Sequence, residues 1–209
     1  MNNQRIGLIG TCCVGKSTLT TLLTMGSGLA YIREDARDLY EERMKDPNWK
    51  REDPHMQLAL QYEIFASKFR REMAAFQKGF IADRTYLDNF MYYIYYSHKV
   101  IEEAELLAFE HMSRNAMQLY THLFVLDLGR IPYVADAVRT ENFATSLFYE
   151  TSIYGLIQRW NLNVHRVPDL NSADFICDVA GLGSMNEKWE QENQKLKSTY
   201  ETLKNQIRG

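Results

Sequence analysis

Short apolar runs alternate along this chain with longer stretches in which apolar residues recur every three or four positions. Five of the short runs predict β-strands, near residues 6–10, 30–33, 80–83, 122–126 and 163–167. The stretches between them have helical spacing. Strands that alternate with helices are typical of a parallel sheet with helices on both faces. The pattern therefore predicts an α/β protein in which a five-stranded parallel sheet is the middle of three α/β/α layers.

The longest helical stretches lie in the middle and at the end of the chain. One begins at Asp53 and Pro54, since proline suits the first helical position, and runs to about residue 77. Two more span residues 101–120 and 140–160. The last, residues 184–208, is charged with a loose apolar stripe, which favours packing on the domain over binding a partner helix. We therefore expect one domain over residues 1–182 and an amphipathic helix over residues 183–209.

Charge and cysteine content narrow the classes of function. The formal net charge of −3 gives no basic footprint for long duplex DNA or an anionic membrane. No apolar run is long enough to span a bilayer, and the first residues lead directly into the first strand, so we expect neither a membrane segment nor a signal peptide. Two of the three cysteines are adjacent, which argues against a disulfide framework and for a reducing cytoplasm. The sequence leaves a homodimer open.

The stretch GTCCVGKS, residues 10–17, carries the most specific chemical signal. It comes directly after the first strand and opens into a helix, which is the context of a phosphate-binding P-loop. Gly10 and Gly15 allow the loop to wrap around a polyphosphate, so that its N–H groups face the anion. Lys16 would reach the β- and γ-phosphates, and the Ser17 hydroxyl would ligate Mg²⁺. The predicted nucleotide-binding residues are Gly10, Cys13, Val14, Gly15, Lys16, Ser17 and Thr18.

Two charged residues come after the second predicted strand. Ligands of open parallel sheets bind beyond the carboxyl ends of the strands, so we expect Glu34 near the γ-phosphate. Phosphoryl transfer needs a group there that orients or deprotonates the attacking hydroxyl. Arg37, one helical turn later, would bind a phosphate or carboxylate of the substrate. The alternative is a carboxylate at a helix start with an ordinary solvated ion pair.

The third predicted strand ends in Asp83, directly before Arg84. An apolar strand that ends in Asp beside the P-loop strand is typical of the second nucleotide-binding motif. We expect Asp83 to hold Mg²⁺ through water or to contact the acceptor, and Arg84 to bind the acceptor or neutralise phosphate charge. Asp88 would share the site or cap the next helix. Glu34 and Asp83 are both candidates for the catalytic base, and we favour Glu34.

A polar stretch comes after the fourth predicted strand and leads into the helix predicted for residues 140–160. Kinases close a cover that carries arginine over the phosphates, because water in the open site would hydrolyse the nucleotide. Arg139 is the predicted lid residue, and Arg130 is a second choice. The alternative is a solvated turn in which Thr140 caps the next helix.

In their order and spacing, these motifs resemble the kinase branch of P-loop proteins, in particular the AAA-type ATPase-like group that includes bacterial ribosylnicotinamide kinase domains. In that group a P-loop is followed by a strand ending in Glu-x-x-Arg, a strand ending in Asp, and an Asp-x-x-Arg lid. The corresponding segments here are residues 34–37, Asp83 and residues 136–139. The Asp83-Arg84 pair is also similar to the acidic-Arg pair that meets the acceptor in thymidylate and deoxynucleoside kinases.

The resemblance covers residues 5 to about 170, and the lid differs from the group's pattern in having Ala137 where glycine is usual. It implies a P-loop kinase, a transferase that uses ATP and Mg²⁺ and acts on a nucleoside or nucleoside monophosphate. The predicted catalytic residues are Lys16, Glu34, Asp83 and Arg139, the predicted acceptor-binding residues are Arg37 and Arg84, and the predicted metal ligands are Ser17 and Asp83.

Two other interpretations stay open. The first is a nucleotide-dependent ATPase or switch that binds a protein partner through the last helix. The second is a kinase that acts on a nucleotide within DNA or RNA, which the net charge of −3 disfavours. Both keep the P-loop and differ in what receives the phosphoryl group.

Overall fold

The computed structural model describes residues 3–34, 36–130, 142–183 and 186–208, with side chains as far as residue 202. One parallel sheet contains β1 (Arg5–Ile9), β2 (Ala30–Ile32), β3 (Phe80–Asp83), β4 (His122–Val125) and β5 (His165–Arg166). Each strand coincides with one predicted run, so the α/β class and the five-stranded parallel sheet are confirmed. β5 is shorter than the predicted run because it pairs only with the last two residues of β4.

Helices connect and cover the strands. Over the described residues they are α1 (Lys16–Ser27), α2 (Ala36–Arg43), α3 (Pro54–Ala75), α4 (Tyr86–Ser97), α5 (Glu103–Met117), α6 (Phe143–Arg159), α7 (Ser172–Ala180) and α8 (Glu187–Arg208). α3 begins as its sequence predicts, because the Asp53 carboxylate accepts hydrogen bonds from two N–H groups of its first turn. The sequence pattern does not predict α7, which is nine residues long and whose N-cap residue makes no side-chain cap. Within the described segments, no helix is both long and apolar enough to cross a membrane.

The strand order is β2-β3-β1-β4-β5, which puts β1 in the centre of the sheet. Leu8 of β1 lies opposite Asp83 of β3 on one side and opposite Phe124 of β4 on the other. Because every pairing is parallel, the carboxyl ends of the strands lie along one edge. The loops after β1, β2 and β3 therefore meet at this edge.

Two apolar cores lie on opposite faces of the sheet. On β1, Ile6 and Leu8 pack into the core that contains residues of α1 and α7, whereas Ile9 packs into the core that contains residues of α3 to α6. This alternation results from the two-residue period of a strand. The structure is thus the three-layer α/β/α arrangement that the sequence predicts.

The C-terminal helix α8 lies against α1 and α7. Trp189 is buried in the core beneath it. The Asn193 amide donates a hydrogen bond to the Asp174 carboxylate of α7 (3.0 Å), and the Lys197 ammonium lies 2.8 Å from the same carboxylate. These contacts fix α8 to the domain along two of its turns.

Candidate active site

The loop between β1 and α1 lies at the carboxyl edge of the sheet and wraps tightly. A side chain at Gly10 has no room, because a Cβ there would lie 2.7 Å from the carbonyl oxygen of Leu126. Gly15 has a φ of 89° and forms the N-cap of α1. A helix N-terminus that comes after a glycine-rich loop presents N–H groups and a positive dipole end to an anion. This backbone geometry suits a bound phosphate.

The other predicted nucleotide-binding residues of the loop lie in different environments. Cys13 is half-buried and has a φ of 56°, which contributes to the tight turn. Val14 is fully buried in the core of α1, whereas Thr18 lies exposed on the first turn of that helix. Their side chains therefore shape the loop or face solvent, and a phosphate would meet their backbone.

Lys16 is buried at the start of α1, and its side chain folds back over the loop. Its ammonium group donates hydrogen bonds to the carbonyl oxygens of Gly10 (2.7 Å) and Thr11. Burial lowers the pKa of Lys16, the positive charge of Arg84 adds to this effect, and Asp83 opposes it. A phosphate anion beside Lys16 would favour its charged form. The position suits the charge-neutralising role that the P-loop motif predicts.

Asp83 and Ser17 form the oxygen-rich part of the site. The Ser17 hydroxyl donates a hydrogen bond to one carboxylate oxygen of Asp83. The other oxygen, Oδ1, is buried and has no hydrogen-bond partner. Burial raises the pKa of Asp83, and the carboxylate of Glu34 adds to the effect, whereas Lys16 lowers it. A hard divalent cation prefers oxygen ligands and would satisfy this orphaned atom, so the two side chains fit Mg²⁺.

Arg84 joins the ends of the second and third strands. Its Nε lies 2.5 Å from the Glu34 carboxylate, and its guanidinium donates to the carbonyl oxygen of Gly10 (3.3 Å). The guanidinium also lies 5.0 Å from the ring centre of Tyr92. The backbone of Arg84 has a φ of 74°, which non-glycine residues seldom adopt and which often marks a functional turn. The structure therefore brings Glu34 and Arg84 together beside the P-loop.

Asp88 is a central residue of the site, although the sequence alone leaves its role open. One oxygen accepts a hydrogen bond from the Gly10 N–H (3.1 Å), and the other accepts from the Thr85 N–H (2.8 Å) and hydroxyl (2.9 Å). Asp88 thus completes a capping box at the start of α4 and ties that helix to the P-loop. The spacing Thr85-x-x-Asp88 signals the cap, whereas the bond to Gly10 spans 78 residues and has no local signal.

We expect Asp88→Ala to lower the free energy of unfolding by about 2–3 kcal/mol, because it leaves the buried N–H groups of Gly10 and Thr85 without acceptors. Urea titration followed by circular dichroism measures the change. The matched control is Asp53→Ala at the exposed cap of α3, which should cost about 1 kcal/mol. Equal losses in the two variants would show that the link to the P-loop contributes no stability.

A cleft of about 900 Å³, its open mouth included, opens beside these residues. Its lining includes Glu34, Arg37, Asp83 and Arg84, so the acceptor-site residues predicted from two separate motifs share one cavity. Further lining residues that the motifs do not identify are Arg33, Tyr40, Arg51, Gln61, Lys68, Arg71, Asn89, Tyr92 and Tyr96. Three of the lining side chains are tyrosine rings and six are basic, and a concave site in which polar groups converge beside aromatic rings is typical of small-molecule binding. Most of these residues come from α2, α3 and α4. No short sequence motif predicts how these three helices pack together.

The structure bears differently on the two arginines that the sequence predicts for the lid. Arg139 and the rest of residues 136–139 lie outside the described residues. Arg130 is described and is not a lid residue: its guanidinium donates to the carbonyl oxygen of Val167 (2.7 Å) and to the Ser172 hydroxyl. Its side chain is only 1% exposed. Arg130 therefore joins the loop after β4 to the end of β5 and the start of α7.

A family model described as an AAA domain matches residues 5–174, which is most of the chain. The chain belongs to the AAA domain family. No curated protein matches it in sequence at a significant level. Helix α8 lies beyond the end of the match.

Solved structures show the same fold. The AAA domain chain is similar to NadR in complex with NAD and AMP-PNP, with a TM-score of 0.57 and 17% identity over 85% of this chain and 49% of that one. It therefore spans about half the length of NadR. Deoxyadenosine kinase from M. mycoides with bound dCTP gives a TM-score of 0.59 at 13% identity over 85% and 99% of the two chains. Thymidylate kinase from Ehrlichia chaffeensis gives 0.53 at 13% identity over 87% and 98%.

These comparisons confirm the resemblance that the motifs indicate. The AAA domain shares its fold with the solved structures of NadR, deoxyadenosine kinase and thymidylate kinase. At 13–17% identity, the likeness concerns the fold. The activity of this chain must be argued from its own site.

Proposed function

We propose that this protein is a small-molecule kinase, which transfers the γ-phosphoryl group of ATP to a nucleoside or nucleoside monophosphate in the cytoplasm. The observation that carries the proposal is the buried, unpartnered Oδ1 of Asp83 beside Ser17 and the P-loop, at the wall of the cleft. A phosphate-binding loop, a place for a divalent cation and a cleft for the acceptor at one edge are the parts that phosphoryl transfer requires.

The donor side of the reaction uses the P-loop together with the side chains of Lys16, Ser17 and Asp83. The loop N–H groups and Lys16 would hold the β- and γ-phosphates, and Ser17 and Asp83 would hold Mg²⁺. Bound Mg²⁺ would supply charge neutralisation at the phosphate oxygens. The described residues contain no cluster of three or more His, Cys, Asp or Glu side chains that could hold a metal, but Mg²⁺ usually takes one or two carboxylates together with substrate phosphates.

The acceptor side favours Glu34 over Asp83 as the base. Asp83 is nearly fully buried and accepts the Ser17 hydroxyl, so it is committed to the donor side. The Glu34 side chain is 27% exposed and lines the cleft, where it can accept a proton from an acceptor hydroxyl. Arg84 holds Glu34 in place, and Arg37 lines the same cavity. The two arginines are the proposed ligands of the acceptor.

Water must be kept from the γ-phosphate during transfer. We keep Arg139, which the sequence motif alone assigns, as the residue that closes over the transferring group. Closure of this kind would suppress hydrolysis of the nucleotide, and it would add the positive charge of Arg139 beside the transferring phosphate. The contacts described above for the sheet and the cleft do not involve Arg139.

The test is ADP formation from ATP and Mg²⁺ with a panel of nucleosides and nucleoside monophosphates. We expect ADP to form only with a particular class of acceptor. Glu34→Gln should lower kcat by about 10²-fold or more while the affinity for ATP stays unchanged, since a general base acts in the chemical step. Glu63→Gln, on the exposed side of α3, is the matched control and should behave as the wild type.

Acceptor-independent ADP release would contradict the proposal and favour an ATPase or switch. ADP release that depends on a single-stranded oligonucleotide would favour a kinase acting on nucleic acid. Full activity of Glu34→Gln would remove the base assignment while the kinase activity itself stood.

A further inference from the structure

Tertiary contacts hold the first part of the P-loop. The N–H of Gly10 donates to the Asp88 carboxylate (3.1 Å), and the Lys16 ammonium donates to the carbonyl oxygens of Gly10 (2.7 Å) and Thr11. A Cβ at Gly10 would lie 2.7 Å from the carbonyl oxygen of Leu126, so the backbones of the two residues are close together. The first part of the loop is therefore held between α4 and the residue that follows β4.

The last part of the loop depends on a glycine. Gly15 is the N-cap of α1, has a φ of 89° and makes no side-chain cap. Its carbonyl oxygen accepts the first hydrogen bond of the helix, from the Leu19 N–H (3.0 Å). Glycine loses more conformational freedom on ordering than any other residue, and ordering that occurs on binding lowers the affinity for the ligand. A neighbour that restricts Gly15 before phosphate binds would therefore raise the affinity for phosphate.

Helix α8 supplies such a neighbour. The Tyr200 hydroxyl lies against Gly15, in the space that a side chain at this residue would fill, because a Cβ built there would overlap the hydroxyl oxygen. Tyr200 is only 7% exposed, so its ring is packed within the protein. The hydroxyl thus restricts Gly15 from the side on which this residue lacks a side chain of its own.

The Tyr200 hydroxyl is itself held in place by Arg130. The two side chains form a hydrogen bond, and the Arg130 guanidinium also donates to the carbonyl oxygen of Val167 (2.7 Å) and to the Ser172 hydroxyl. The Arg130 side chain is almost completely buried. The end of β5 and the start of α7 therefore support the hydroxyl that contacts Gly15.

The earlier turns of α8 fix the position of Tyr200 along the domain. Trp189 is buried in the core, and Asn193 and Lys197 both bind the Asp174 carboxylate of α7, at 3.0 and 2.8 Å. Tyr200 comes three residues after Lys197, so it lies on the same side of the helix, about one turn further on. Docking of α8 therefore brings Tyr200 to the loop.

We propose that Tyr200 is a positioning residue, which together with Arg130 holds Gly15 in the conformation that the P-loop needs to bind phosphate. The proposal rests on the proposed function only in that the loop binds the phosphates of ATP. Because the contact forms when α8 is docked, phosphate binding and the docking of α8 stabilise each other. Since α8 lies beyond residues 5–174, this support comes from outside the matched domain.

The test compares the full-length protein with Tyr200→Phe, which keeps the buried ring and removes the oxygen that lies against Gly15. Isothermal titration calorimetry with Mg²⁺ and inorganic tripolyphosphate measures phosphate binding without a nucleoside. We expect the affinities for tripolyphosphate and for AMP-PNP each to fall by about fivefold, since the hydroxyl contributes about as much as one hydrogen bond. In steady-state kinetics the KM for ATP should rise by the same factor, with a smaller effect on kcat, because the loop holds the phosphates before as well as during transfer.

Two control variants separate positioning of the loop from stability. Asn193→Ala removes a bond between α8 and α7 two turns before Tyr200, and Tyr62→Phe removes an exposed hydroxyl on α3. Both should bind tripolyphosphate as the wild type does. Normal binding by Tyr200→Phe, or equal weakening in Asn193→Ala, would contradict the positioning role and leave the kinase function intact. A wild-type protein that binds neither tripolyphosphate nor AMP-PNP would overturn both.

Discussion

Lys16→Ala lowers the acceptor-dependent rate of ADP formation by about 10³-fold, because it removes the cation that the P-loop itself brings to the transferring phosphate. The ammonium group is buried against the carbonyl oxygens of Gly10 and Thr11, where water competes little with a phosphate for its hydrogen bonds. Steady-state kinetics with saturating acceptor measure the loss.

The control for this variant is Lys99→Ala, an exposed lysine in the turn after α4. It should retain full activity. Circular dichroism and thermal unfolding of Lys16→Ala must show a folded protein, so that the loss is assigned to chemistry. A folded Lys16→Ala with near-normal activity would show that the loop does not hold the reacting phosphates.

Glu72→Gln lowers the free energy of unfolding by about 3 kcal/mol or more, because it leaves the charge of Lys68 without its partner. Glu72 is fully buried, and its carboxylate lies 2.7 Å from the Lys68 ammonium. The same carboxylate accepts hydrogen bonds from the hydroxyls of Tyr86 and Tyr120, both 2.7 Å away. The side-chain amide of the variant keeps one of these two acceptor oxygens, because its NH₂ group cannot accept a hydrogen bond, so the loss combines the missing charge with one missing acceptor. Urea titration measures the loss.

Glu63→Gln is the matched control for stability as well as for activity. Glu63 lies on the same helix as Glu72, and its side chain is 39% exposed. It forms a solvent-exposed ion pair with Arg43. An exposed pair contributes less than about 1 kcal/mol. If Glu72→Gln proved as mild as Glu63→Gln, the buried network would not be what fixes α3 against the sheet. Lys68 also lines the acceptor cleft, so an unstable Glu72→Gln should be expected to lose activity too.

The sheet and the loop can be predicted because their signals are local. Each strand is a short apolar run, the glycines of residues 10–17 specify a turn, and the apolar spacing after residue 17 specifies a helix. Carboxyl ends of parallel strands share an edge, so the sequence also predicts that Glu34 and Asp83 both lie near the phosphates. The ion pair between Glu34 and Arg84 agrees with that inference.

The features that sequence does not predict depend on contacts between distant segments. The bond from Asp88 to Gly10 and the contact of Tyr200 with Gly15 join residues 78 or more positions apart, and neither has a motif. The same holds for Glu72, whose partner Tyr120 comes from the chain just before β4. The charge of Arg130 suggests a lid, yet its partners lie after β5. Tertiary packing determines such roles, and the periodicity of apolar residues along the sequence does not predict that packing.

In the proposed reaction, the γ-phosphoryl group moves from ATP to a small acceptor in the cleft. The most direct measurement is to incubate the protein with Mg²⁺ and ATP that carries a radioactive γ-phosphate, together with the acceptor that the panel identifies, and to separate the products. We predict that the label appears on the acceptor and that Lys16→Ala abolishes the transfer. Label found only in inorganic phosphate, with every nucleoside and nucleoside monophosphate unlabelled, would contradict the account.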